Sequence, residues 1–151
     1  MRPYVPGIYM RPESPEVRAW NRTARAAAQK VIKVGGKLGG DKALLKALKT
    51  ANDLGEKLND WVYGQSKSLM EAGKIVGIIG GDHSVPYGAF RAAAEKHGDF
   101  GLLHFDAHSD TRVAYEGFVW SHASIMYNAL KNIQRIARIT QVGIRDFCEQ
   151  E

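Results

Sequence analysis

The chain has 151 residues with a hydrophobic fraction of 44% and a charged fraction of 25%, which suits one soluble domain with a real core. No run approaches the roughly 18 consecutive apolar residues of a membrane helix, and the start, "MRPYVPGIYMRPESPEV", lacks the apolar core of a signal peptide. The one cysteine, Cys148, cannot close an internal disulfide, so the expectation is a soluble cytoplasmic protein with no membrane partner.

Residues 1–13, rich in Pro and Arg, read as an extended arm. Ser14 is placed to cap a helix, with Pro15 at the first helical position where a missing N–H costs nothing. That helix is expected to reach about Val34. "GGKLGG", residues 35–40, breaks it. A phosphate loop starting at Gly35 would need Lys at position 41, where Asp41 stands. Leu44, Leu48, Ala51, Leu54 and Leu58 then recur at helical spacing, and the helix is expected to run on to Gly73. The net charge of +5 sits in this part: residues 1–60 hold 12 Lys and Arg against 6 Asp and Glu, residues 61–151 hold 9 against 10. With no aromatics interleaved as a stacking surface, the basic residues read as the solvated faces of two helices. No nucleic-acid partner is expected.

From residue 74 the pattern changes. "KIVGIIGG" is short, apolar and β-branched, and predicts a strand buried on both faces. Ser84 is placed to cap a helix through "VPYGAFRAAAEKH", stopped by Gly98. "FGLLHF" predicts a second buried strand, "HASIMYNALKNI" a helix and "RITQVGI" a third strand. Strand–helix–strand units of this length require parallel strands and right-handed crossovers. The predicted class is α/β, a parallel sheet flanked by helices, with residues 1–73 as a helical N-terminal extension and residues 74–151 as the α/β part.

Ligands of open parallel sheets bind beyond the carboxyl ends of the strands. There the first predicted strand runs into "GGDHS", with Asp82 and His83, and the second into "HFDAHSD". If those two strands are neighbours, alternation along the chain brings Asp106, His108 and Asp110 toward His83. A Ser–His–Asp triad through Ser84 or Ser109 lacks the G-x-S-x-G elbow. A carboxylate pair for acid–base work does not need two imidazoles as well. A metal site fits better, because clustered carboxylates repel unless a cation lies between them. Asp and His donors without Cys suit Mn²⁺ or a similar divalent ion rather than structural zinc. His104 shares the alternation but lies on the buried part of its strand, and reads as a hydrogen-bonded core histidine. Asp82 reads as a turn former or outer support of the site, and Gly80 and Gly81 as backbone room beside it. His97 reads as a favourable cation at a helix end. Tyr115, Phe118 and Trp120 suit either a wall of the site or simple packing of the loop.

"GGDHS", "FDAHSD" and "SHASIMYN" together resemble the arginase–agmatinase family of ureohydrolases, over roughly residues 70–147. The resemblance implies a three-layer α/β/α fold and a binuclear manganese enzyme, with Ni²⁺ as an alternative ion, that hydrolyses C–N bonds of a small linear amidine or guanidino compound. It implies that His83, Asp106 and Asp110 hold one metal and His108 the second, with Asp106 bridging. A metal-bridging hydroxide would attack the amidine carbon, oriented by Asp110, and His122 would shuttle the proton to the leaving amine. The family also implies a homo-oligomer, trimeric or hexameric.

The sequence departs from the family at two points. The family completes its metal pair with a later Asp-x-Asp motif, and after Asp110 the remaining acids are Glu116, Asp146, Glu149 and Glu151. The chain therefore reads as truncated and inactive alone. Either it is part of an agmatinase-like amidinohydrolase, or a non-catalytic metal-binding fragment or pseudoenzyme. Arg112 stands where agmatine- and arginine-cleaving members carry a neutral residue. It can bind a substrate carboxylate bidentately, as a formimidoylglutamase would need, or it can pair with Glu116 or a neighbouring subunit, which leaves an agmatinase or guanidine hydrolase reading intact.

Overall fold

The computed structural model describes residues 7–149 and 151; residues 1–6 of the expected arm lie outside that range. Residues 7–14 carry no regular structure, and Ile8, Tyr9 and Met10 are exposed. Helix α1, Pro15–Ile32, starts where the capping residues place it: the Ser14 hydroxyl accepts a hydrogen bond from the Val17 N–H at 3.2 Å. It ends in the glycine-rich turn, where Gly36 sits at φ 71° and its N–H reaches the Val31 carbonyl. Helix α2, Lys42–Glu71, is one continuous 30-residue helix. Its cap is Asp41, whose carboxylate accepts from the Ala43 and Leu44 N–H groups at 2.7 and 3.1 Å.

Helix α3, Tyr87–His97, ends at Gly98 with φ 77°. Strand β1, Phe100–Phe105, follows. After a loop and one 3₁₀ turn, His122–Ser124, comes helix α4, Ile125–Asn132, and then strand β2, Ile136–Val142. The strands pair in parallel, with His104 opposite Gln141 and Phe105 opposite Val142. The core lies between the sheet and α3 and α4: Tyr87, Ile125, Met126 and Ile133 are buried, with Leu102, Ile136, Ile139 and Trp120 against them. A second cluster, Ala27, Val31 and Ala47 with Phe118 on it, joins α1 to α2. Trp120 also stacks at 4.9 Å on Tyr87, so two of the three loop aromatics pack the core.

Three local expectations are corrected. Residues 74–80 form no strand, and Ile75 and Ile79 are exposed. A strand exists through its ladder, and among the described residues none runs beside this segment; the only sheet is β1–β2. Strand β1 is not buried on both faces. Leu102 and His104 point toward the helices, whereas Leu103 and Phe105 are 62% and 70% exposed, because α3 and α4 both pack on one side. Ser84 is not a helix cap. It lies in a turn organised by Asp82, whose carboxylate accepts from the Ser84 N–H at 2.9 Å, and α3 begins after Pro86 with no side-chain cap.

Candidate functional site

The site forms beyond the carboxyl end of β1. The backbone leaves the strand at Phe105, and the Asp106 N–H still donates to the Val142 carbonyl. The following loop is tied to the chain beyond β2, as the Ala107 carbonyl accepts from Arg145 and Asp146. Asp110 then adopts a left-handed conformation, φ 56°, which Asp tolerates better than most residues. Its carbonyl accepts the first free N–H groups of α4, from Met126 and Tyr127. The expected alternation therefore does not carry the cluster. Asp110 is turned inward by a bend anchored to a helix start.

This brings four side chains together. His83, His104, Asp106 and Asp110 each offer a donor atom, and all four atoms lie within 4.8 Å of one another. His83 Nδ1 donates to Asp110 Oδ2 at 2.6 Å and lies 3.3 Å from Asp106 Oδ2. Asp110 is buried, with 5% of its side chain exposed. The hydrogen bond to Asp110 raises the pKa of His83 above its ordinary value, against the opposing effect of burial. Burial pushes the Asp106 carboxyl up, but hydrogen bonds from the His108 N–H and ring, with His83 nearby, outweigh it and hold the group below its usual range. Burial lowers the pKa of His104.

His108 stands outside the group of four. Its ring is 59% exposed, and its Nδ1 lies 3.1 Å from Asp106 Oδ1, the oxygen that also accepts from its own backbone N–H at 2.9 Å. His108 bridges in parallel to Asp146, whose carboxylate lies 3.9 Å from His108 Nε2. His122, on the 3₁₀ turn, is exposed on the side of the Asp82 loop, 3.6 Å from Asp82 Oδ2 and beside the Tyr115 ring. Arg112 does not pair with Glu116. Its Nε lies 3.3 Å from Glu151 Oε2 and its guanidinium faces the Tyr115 ring. That hydrogen bond to Glu151 raises the pKa of Arg112.

His104 is the buried, hydrogen-bonded histidine that the sequence suggested, and it also belongs to the cluster, which the sequence reading did not foresee. The signal was available: His104 has the parity of Asp106 and sits one pleat before the strand end. Being buried and facing the site are compatible there, because the site itself is partly buried. Gln141, which holds His104 in place, carries no sequence signal and is found only through the register.

The donor set fits a divalent cation. Two carboxylates share one space with a histidine hydrogen-bonded to one of them, and clustered carboxylates repel unless positive charge lies among them. Oxygen and imidazole donors without thiolate suit Mn²⁺ and similar ions.

Comparison with known proteins gives the same direction. A sequence model of the Arginase family matches residues 42–151, and so includes α2 as well as the α/β part. N(1)-aminopropylagmatine ureohydrolase of Thermus thermophilus is 46% identical over 76 residues, 50% of this chain and 25% of that protein. Agmatinase of Bacillus subtilis is 36% identical over 92 residues, 61% of this chain and 31% of that protein. Among solved structures, arginase from Medicago truncatula superposes with a TM-score of 0.58 at 31% identity, covering 68% of this chain and 34% of that one. The chain thus spans about a quarter to a third of the length of these relatives.

Proposed function

The chain belongs to the arginase family, and on that premise we propose that it carries the first part of the metal centre of an agmatinase-like amidinohydrolase. The observation that supports this best is the meeting of His83, Asp106 and Asp110 beyond the end of a parallel strand, with His108 on Asp106. These four side chains would hold the metal, two ions in the complete centre, with Asp106 reaching both. Bound divalent ions supply Lewis acidity and lower the pKa of a water. Asp110 would then orient the attacking water through its carboxylate, and His122, free of the metal cluster and exposed, would protonate the leaving amine.

An amine-tailed guanidine is the substrate class favoured here, in a cytoplasmic oligomer. Two relatives bear the names agmatinase and N(1)-aminopropylagmatine ureohydrolase. A free guanidinium at Arg112 would repel such a tail, but Glu151 lies against it, which removes that objection and weakens the formimidoylglutamase reading. A non-catalytic, metal-binding fragment stays as the second reading. It is supported by the donor group itself, which among the described residues contains two carboxylates and no second acidic pair.

Metal analysis of the purified chain beside Asp106→Ala tests the site; the wild type is expected to retain Mn²⁺ and the variant to lose most of it. Equal metal content in the two would refute the assignment. Urea release from agmatine, compared with ammonia or formamide release from formimidoylglutamate, tests the substrate class.

A further inference from the structure

We infer that His104 is a positioning residue for Asp106 that stays off the metal, held in one tautomer by Gln141; the inference rests on the metal reading of the site given above. His104 is 4% exposed, and its Nε2 is a buried polar atom without a hydrogen-bond partner. The nearest acid is Asp106, whose Oδ2 lies 3.6 Å away, just beyond hydrogen-bond length. His104 also lies within the donor group, beside the His83 ring at 5.1 Å. By position alone it could be a fourth ligand or a support for one.

The tautomer separates these roles. Gln141 Nε2 lies 2.7 Å from the Ser109 carbonyl and 3.0 Å from His104 Nδ1. A carbonyl only accepts, so the Gln141 atom between them is the NH₂ group, with two protons to give. One goes to Ser109. The other goes to His104 Nδ1, which must then be the unprotonated nitrogen of a neutral ring. The proton of His104 sits on Nε2, the atom facing the site. A protonated nitrogen cannot ligate a cation, but it can donate to a carboxylate. A small shift of Asp106 closes the 3.6 Å gap, satisfies the orphaned Nε2–H and fixes the plane of the carboxylate proposed to reach both ions. The parallel register places Gln141 opposite His104, so the two strands set this arrangement together.

Long-range ¹H–¹⁵N NMR of the histidine rings in the 151-residue chain, with and without Mg²⁺ as a diamagnetic probe, reads the tautomer directly. His104 is expected as Nε2–H in both states. A chain with His104 as Nδ1–H would overturn the inference, whatever metal it binds. Mn²⁺ titration supplies the second readout. Loss of such a support typically weakens metal binding about 10- to 100-fold; that range is expected for His104→Leu, with substantial recovery in His104→Gln, whose amide can still donate. Unchanged affinity in a folded His104→Leu would also overturn it. Gln141→Glu accepts from Nδ1 and so bares Nε2, at the loss of the hydrogen bond to the Ser109 carbonyl, and is read in a variant whose NMR spectrum shows the fold retained. Pulsed EPR of bound Mn²⁺ should then show one more coupled imidazole than in the wild type. No gain would count against the tautomer assignment, even if the leucine variant fails to fold. A wild-type chain that shows the Nε2–H tautomer but takes up no Mn²⁺ would sink the metal reading and not the hydrogen bond.

Discussion

At the scale of single residues, His83 has the charge state with the clearest consequence. Its folded pKa is raised, chiefly by the hydrogen bond to Asp110. A raised folded value means that the protonated ring stabilises the fold at pH below its unfolded value of about 6.5, and that this contribution is lost as pH rises through the folded value. In chelator, the melting temperature is expected to fall across that window, and His83→Asn should flatten the profile. With Mn²⁺ the trend should reverse, because a ligating imidazole must be neutral and protons compete with the ion. An identical pH profile with and without Mn²⁺ would exclude His83 as a ligand. Arg112 illustrates the opposite case, a residue whose apparent freedom in sequence is removed by a partner. With Glu151 against it, Arg112→Asn is expected to change the preference between amine-tailed and acid-tailed substrates in a family-length enzyme by less than tenfold, read as a ratio of kcat/KM. A larger change would restore Arg112 as a substrate contact.

At the scale of elements, the packing of α2 against α3 depends on Gly88. A Cβ there would lie 2.3 Å from the Asn59 carbonyl oxygen and 2.6 Å from the Tyr63 nitrogen, both backbone atoms of α2. Gly to Ala in a helix interior ordinarily stabilises by about 1 kcal/mol. Here overpacking should reverse the sign and cost about 1–3 kcal/mol, because neither helix backbone can yield locally. Urea denaturation of Gly88→Ala beside Gly64→Ala, where a Cβ meets nothing within 4 Å, checks both signs. Helix α1 was legible because it carries its own start and stop, Ser14 with Pro15 and then the glycine turn, and α3 carries its own stop, Gly98; the start of α3 was not legible, since no side chain caps it. Residues 74–80 have no such autonomy. Their apolar, β-branched composition describes a chain able to pair, and pairing depends on a neighbour that lies elsewhere. The same limit hid the one-sided burial of β1, since the sequence of a strand does not say where the helices will pack.

At the scale of the whole molecule, apolar surface is left open. Leu103, Phe105, Val142 and Phe147 are exposed around the strands, and Ile75 and Ile79 on the segment before α3. Large apolar side chains left exposed in this number mark an interaction surface or an aggregation liability. The 151-residue chain is expected to bind an apolar fluorescent dye and to sediment with a concentration-dependent mass, and Leu103→Lys with Phe105→Lys should reduce both. No helix among the described residues is long and apolar enough to cross a membrane. The chain spans only a quarter to a third of its relatives, and its donor group holds two carboxylates. Urea release from agmatine by this chain alone should therefore be low beside that of a full-length relative, and robust turnover would mean that these residues suffice.

The sequence by itself determined the class, the start of α1 and the glycine stops, and the Asp and His donor types of the candidate site, because capping, periodicity and the choice of Asp and His over Cys act within a few residues along the chain. The family was legible for the same reason: "GGDHS" and "FDAHSD" are local. The sequence pointed Asp106 and Asp110 toward His83, and tertiary structure decided how they meet and that His104, not His108, completes the group. A left-handed bend held by the start of α4 turns Asp110 inward, β2 brings Gln141 to His104, and Glu151 reaches back to Arg112. Each of these joins residues 15 or more positions apart, and such contacts are set by the folding of the chain as a whole.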